Sequence, residues 1–267
     1  ALVNHPLSYR DLFEANVMGT AEIARFASTG RAKSVHFVST AGLFGGLKGK
    51  IGEEKSATML WPERPVESSA YASGYVSSKW AGEFLLDRLH RDTGLPVTIN
   101  RCGLLLPGLE FPKETNNTDV FVRLFRGILF TGLAPTSFYE VPREYQALQV
   151  NVAAAFLAEL ALRTRTGQSR FHLLPPSGPT LDQMVNWASK KYSIERLPYS
   201  RFFQRFGTAL SELDSDQREL SMLPILSYWK QPIKRSTAVV GQAGFQAKAV
   251  EYGLNPTAIE QSEFLEI

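Results

Sequence analysis

The sequence predicts an α/β protein: the end of a doubly wound parallel sheet followed by a mostly helical second lobe. Two short runs, KSVHFVST (33–40) and LPVTINRCGLLLP (95–107), have the β-branched and aliphatic content of strands covered on both faces. Between them, YASGYVSSKWAGEFLLDRLHR (71–91) is long enough for a crossover helix, and a strand–helix–strand order makes the two strands parallel. Beyond Pro179, the segments LDQMVNWASKKY, SRFFQRFGTALSEL and LSMLPILSYW read as polar-amphipathic helices, which sets the second lobe apart.

Residues 8–29 predict a helix with Ser8 as N-cap and Gly30 as stop. Leu12, Phe13, Val17, Ala21, Ile23, Ala24 and Phe26 give it a broad apolar face. The run 33–40 ends in Ser39-Thr40, hydroxyls at the carboxyl end of a strand, where ligands of open α/β sheets bind. The stretch 42–67, rich in Gly, Lys, Glu and Pro, reads as a long surface loop. The crossover helix closes near Gly94, and the strand after it carries Arg101, Cys102 and Gly103 at its far end. Past Pro107 come a loop, an amphipathic helix at 119–131, a turn-rich stretch at 132–149, an Ala/Leu-rich helix at 150–164 and a short strand at 170–175.

At 267 residues, 44% hydrophobic and 21% charged, the chain has ample material for a core. A net charge of +3, scattered along the sequence, leaves no footprint for nucleic acid. Cys102 is the only cysteine, and His5, His36, His90 and His172 lack ligand spacing, so neither an internal disulfide nor a metal site is expected. No apolar run reaches membrane-spanning length and no signal-peptide pattern opens the chain, so a cytoplasmic protein with no membrane partner is expected.

Tyr75 and Lys79 are four apart, hence stacked on one helix face. An ammonium beside a phenol favours the phenolate and is expected to draw the Tyr75 pKa down from its ordinary value near ~10. Such a tyrosine can hand a proton to an oxygen that turns anionic as hydride arrives at its carbon. The spacing alone is a weak signal, with a solvated surface pair as the alternative.

A Ser/Thr pair ending a strand, Tyr-x-x-x-Lys on the next helix, Arg-x-Gly ending the following strand and ANVMGT (15–20) on the preceding helix together resemble the extended short-chain dehydrogenase/reductases. Within that superfamily, ALVNH (1–5), GYVSSKWAGE (74–83), GLPVTINRC (94–102), TGLAPTSFYE (131–140) and DQRELSMLPILSYWKQP (216–232) resemble the reductase domain of carboxylic acid reductases. That domain is related to the terminal thioester reductase domains of nonribosomal peptide and polyketide synthases. The resemblance implies a Rossmann-like sheet and NADPH-dependent reduction of a phosphopantetheine-bound acyl thioester, through a hemithioacetal, to an aldehyde. It implies Tyr75 as general acid, Lys79 as the group that lowers the Tyr pKa and binds the nicotinamide ribose, and Thr40 as hydrogen-bond donor to the thioester carbonyl. Ser39 would contact the cofactor beside Thr40. Asn16 would hold backbone or water near Lys79, and the backbone of Arg101, Cys102 and Gly103 would flank the nicotinamide. Residues 1–107 would then be the C-terminal part of an NAD(P)-binding domain, and 108–267 a lobe facing substrate and an acyl carrier (thiolation) domain, with 150–175 returning to the first. Arg163, Arg165, Arg170, Lys190, Lys191 and Arg196 are a candidate dock for an acidic carrier, with a solvated helix rim as the alternative.

Two departures from the family pattern stand out. The family's glycine-rich phosphate loop is not found, and the chain opens at ALVNHPLSYRDLF without an initiator Met, so a cut from something longer is expected. The 267 residues alone are then expected to bind NADPH poorly, which micromolar binding by isothermal titration would contradict. Arg101-Cys102-Gly103 stands where carboxylic acid reductases tend to read Arg-Cys-Asp, leaving open a second reduction to the alcohol. Two other functions compete: a nucleotide-sugar epimerase or dehydratase of the same superfamily, and a non-catalytic fragment.

Overall fold

The computed structural model describes residues 1–65, 71–108, 116–142, 144–163, 166–234 and 237–266. The chain divides into two compact units, each assembled from three separate segments. The first comprises Ala1–Leu105, Val150–Pro176 and Ser236–Thr257; the second comprises Leu106–Gln149, Ser177–Arg235 and Ala258–Ile267.

The first unit is built on a parallel three-stranded sheet in the order Val35–Thr40, Val97–Cys102, Gln168–Leu173. The middle strand is buried at all six positions, as a strand covered on both faces must be. Helix Ser73–Thr93 joins the first two strands and ends at Gly94, which takes the left-handed φ of +70° that glycine adopts without a Cβ clash. Gly74 and Gly82 let this helix approach its neighbours closely. A Cβ on Gly74 would meet the backbone of Leu7, Ser8 and Tyr9, and one on Gly82 the Phe37 ring. Trp80 anchors the outer side, its indole N–H donating to the carbonyls of Ala57 and Trp61. Helix Val150–Arg163 brings Phe156 against Phe171 and Phe245.

Several sequence expectations change. Ser8 does cap the first helix, in a reciprocal box with Asp11, but the helix is not uniform. Tyr9–Leu12 and Gly19–Ser28 are α-helical, and Phe13–Met18 between them is a π-helix. Residues 42–67 are not one loop where described. They hold a 3₁₀ turn at Ala41–Phe44, a strand at Lys48–Ile51 and a short helix at Ala57–Leu60 capped by Ser56. That strand pairs in parallel with Thr237–Val240, in the stretch that reads as helical. Three of its four residues are exposed, so no buried alternation marks it in the sequence. The segment Ser236–Thr257 thus returns to the first unit, as 150–176 does. Residues 66–67 of the expected loop lie outside the described residues.

The second unit packs helices Val120–Thr131, Leu181–Ala188, Tyr199–Ser211 and Ser215–Leu220 with a short parallel pair, Leu133–Pro135 and Glu195–Leu197. Asp119 caps the first of these helices at the amides of Phe121 and Val122, and Thr180 caps the second in a box with Gln183. Residues Leu223–Trp229 form a 3₁₀ helix rather than an α-helix, with a proline in the first turn. No helix among the described residues is long and apolar enough to cross a membrane.

Candidate active site

Alternation along the strand Val35–Thr40 sends Ser39 and Thr40 to opposite faces. The Thr40 Oγ1 accepts from the Gly42 amide at 3.0 Å, which caps the 3₁₀ turn and leaves the hydroxyl proton available to donate. Ser39, expected at the cofactor, is buried, and its hydroxyl donates instead to Glu83 Oε1. The side chain is committed to the helix packed over the sheet.

Helix Ser73–Thr93 presents Tyr75, Lys79 and Glu83 at successive turns of one face. Lys79 is buried, and its Nζ donates to the Val38 carbonyl at 2.9 Å. It lies 4.8 Å from the centroid of the Phe37 ring and 5.7 Å from that of Tyr75. Burial lowers the Lys79 pKa, and the negative sides of Cys102 and Glu83 work against that fall. The Tyr75 phenol is pushed up to about 12, by burial first and by Cys102 second. The expected lowering by Lys79 is therefore not what this geometry gives, because the ammonium sits over the ring and bonds Val38. A phenol so protected stays protonated at neutral pH, the form a general acid needs.

Asn16 sits inside the π-helical segment, a form found mostly as a local bulge at functional sites. Its Oδ1 accepts from the Leu2 amide at 2.6 Å, and its Nδ2 donates to the Leu2 carbonyl and to Ser78 Oγ, both at 3.0 Å. Ser78 in turn donates to the Tyr75 carbonyl at 2.7 Å. The side chain therefore ties the opening residues of the chain to the Tyr75 helix. His5, bland in the sequence, meets both Tyr71 and Tyr75 edge-on, with ring centroids 5.1 and 5.0 Å away, and its Nδ1 lies 3.0 Å from the Tyr71 hydroxyl. Only a fold that returns residue 71 to residue 5 reveals that contact.

The Arg101 side chain is fully buried and held by Glu83, with Nε to Oε1 at 3.0 Å and Nη2 to Oε2 at 2.7 Å. Its Nη2 also donates to the Lys55 carbonyl, and Nη1 lies 3.2 Å from His172 Nε2. Burial and the guanidinium push the His172 pKa down to about 4, so the ring is neutral and accepts from Arg101. Its other nitrogen faces the Gly241 carbonyl at 2.7 Å, which assigns the proton to Nδ1. Burial drives the Cys102 thiol up to about 12, an unreactive setting. Gly103 ends the strand with its amide on the Leu173 carbonyl. Among the described residues no group of three or more His, Cys, Asp or Glu could hold a metal ion.

The basic residues of the candidate dock are divided between the two units. Arg163 pairs with Glu159 and Arg170 with the buried Asp87 in the first unit. In the second unit, Lys190 donates to Gln261, Lys191 lies over Tyr192, and Arg196 is spent on Pro135, Thr136 and Asn186. Arg165 lies outside the described residues.

Comparison with known proteins supplies the context for this geometry. The carboxylic acid reductase of Mycobacterium tuberculosis is 36% identical over 250 residues, covering 88% of this chain and 21% of that protein. The carboxylic acid reductase of Mycobacterium marinum is also 36% identical, over 244 residues. The chain thus spans about a fifth of the length of these relatives. Among solved structures, the reductase domain of a nonribosomal peptide synthetase from Mycobacterium tuberculosis superposes with a TM-score of 0.84 at 29% identity, covering 95% of this chain and 63% of that one. A family profile described as male sterility protein, an NAD-binding family, matches residues 1–157. With more than half of its length matched, the chain belongs to the NAD-binding male sterility protein family.

Proposed function

We propose that this chain is the reductase part of an enzyme that converts an acyl thioester, held on the phosphopantetheine arm of a carrier domain, to an aldehyde with NADPH. The observation that supports this most is that Lys79, one helical turn from a protonated Tyr75, bonds the Val38 carbonyl two residues before Thr40, at the carboxyl end of a parallel strand. That donor set suits a dinucleotide's ribose and a substrate carbonyl: Lys79 has one of its three protons on Val38 and the others to offer. A nicotinamide held there would supply the hydride for the thioester carbonyl carbon. As charge grows on the carbonyl oxygen, Thr40 donates a hydrogen bond to it and Tyr75 delivers its proton. The resulting hemithioacetal returns its hydroxyl proton to Tyr75 and expels a thiolate, which takes a proton from water, leaving an aldehyde and a free phosphopantetheine thiol. Cys102, Gly103 and the Arg101 backbone line the flank where the nicotinamide would rest, and Asn16 fixes the Tyr75 helix from behind. A lone buried thiol suits the cytoplasm.

The relatives named above are reductases and give the sugar-epimerase alternative no support. The test is NADPH oxidation on a short acyl-pantetheine thioester, with the aldehyde trapped and identified. No thioester-dependent oxidation by the full polypeptide carrying this chain would reject the reading.

A further inference from the structure

We infer that Glu83, acting through Ser39, is a positioning residue that holds the strand end carrying Thr40 in register with the helix carrying Tyr75 and Lys79. The inference rests on the reductase reading and goes beyond its three reacting side chains.

Ser39, Arg101 and His172 are directly paired across the three strands, Ser39 with Arg101 and Arg101 with His172. They form one polar row just before the carboxyl ends, and all three side chains are buried. Glu83 lies over this row, fully buried, and accepts from Ser39 and from Arg101, while Arg101 reaches on to His172. Burying a carboxylate and a guanidinium brings little net stability, since an apolar pair of the same volume does as well. What the row does provide is register. Lys79 holds the Val38 carbonyl, Glu83 holds the Ser39 hydroxyl one turn further along, and Thr40 follows immediately. Two adjacent residues of the strand are therefore pinned from one helix face, immediately before Thr40. With the Ser39 link gone, the strand end keeps its ladder to Arg101 and Cys102 but loses the side-chain tie that sets it against the helix, and the Lys79 bond to Val38 remains the one such tie among the described residues. A shift of about 1 Å in a reacting group costs roughly a hundredfold in rate.

Glu83 has a second effect through its charge. The groups facing Lys79 are Tyr75 and Glu83 from its own helix, Cys102 from the middle strand and the Phe37 ring from the first. Of these, Glu83 is the carboxylate, and it favours the ammonium.

Two variants separate these effects in the full polypeptide carrying this chain, assayed with NADPH and an acyl-pantetheine thioester. Ser39→Ala leaves the Glu83–Arg101 pair intact. The expected result is a kcat lowered about ten- to a hundredfold, KM within about twofold and an unmoved alkaline limb of the kcat–pH profile. Amide hydrogen exchange across residues 38–42 rises in the same variant. Glu83→Gln lowers kcat and moves the alkaline limb to lower pH, because Lys79 loses its nearby negative charge. Combining the two costs no more than Glu83→Gln alone. Wild-type kcat and wild-type exchange in Ser39→Ala, or a Glu83→Gln variant changed only in melting temperature, would overturn the inference. Inactivity of the unmodified enzyme would overturn the reductase reading instead, and the exchange measurement would still decide the role of Ser39.

Discussion

At the scale of single residues, the site works by keeping charge and protons where the sequence does not place them. Tyr75 stands high, about 12, because burial and then Cys102 disfavour its phenolate. Tyr75→Phe should therefore lower kcat by about 10²–10⁴-fold, the usual worth of a positioned proton donor, measured as thioester-dependent NADPH oxidation. The neutral His172 makes a separate claim about stability. Its folded pKa of about 4 lies below the ordinary 6.5, so the unfolded chain takes up the proton first. The contribution is complete above pH 6.5 and is lost as pH falls through about 4, roughly 3 kcal/mol in all for a shift of this size. Urea midpoints at pH 7 and pH 5 should differ less in His172→Asn than in the unmodified protein. The places of Tyr75 and Lys79 on one helix face and of Thr40 at a strand end were legible because their signal is local: a four-residue spacing and a strand that ends in hydroxyls. Glu83 lies in plain sight one turn beyond Lys79, yet its partners Ser39 and Arg101 come from two strands that only folding aligns.

At the scale of elements, caps and close approaches govern what can be changed. The helix Ser73–Thr93 was legible from its length and its closing Gly94, and its opening depends on Gly74. A Cβ there would strike the backbone of residues 7–9, which has no rotamer to yield. Gly74→Ala should destabilise the protein by about 1–3 kcal/mol, seen as a lower urea midpoint, and should weaken turnover by moving Tyr75. The π-helical segment and the strand Lys48–Ile51 were not legible. The first differs from an α-helix by a shift in hydrogen-bond partner that leaves the residue pattern unchanged. The second is a short exposed strand whose stability comes from Thr237–Val240, far along the chain.

At the scale of the whole molecule, chain order and spatial order part company. Glu53 shows how the first unit is stitched: its carboxylate accepts from the amides of His172, Gly244 and Phe245, joining all three of its chain segments. Glu53→Ala leaves three donors without that acceptor and should cost about 1–3 kcal/mol, read from urea denaturation. A cooperative melt by circular dichroism is expected for the chain, against the fragment reading, in which no transition appears.

The two units alternate along the polypeptide, each supplying the connection for the other. A growing chain leaving the ribosome therefore holds the first two strands early, but cannot complete that unit until Ser236–Thr257 has emerged. Contacts so far apart slow assembly and prolong the exposure of unfinished surfaces. No single cleavage can release either half whole, and chaperone supply during synthesis becomes a determinant of yield.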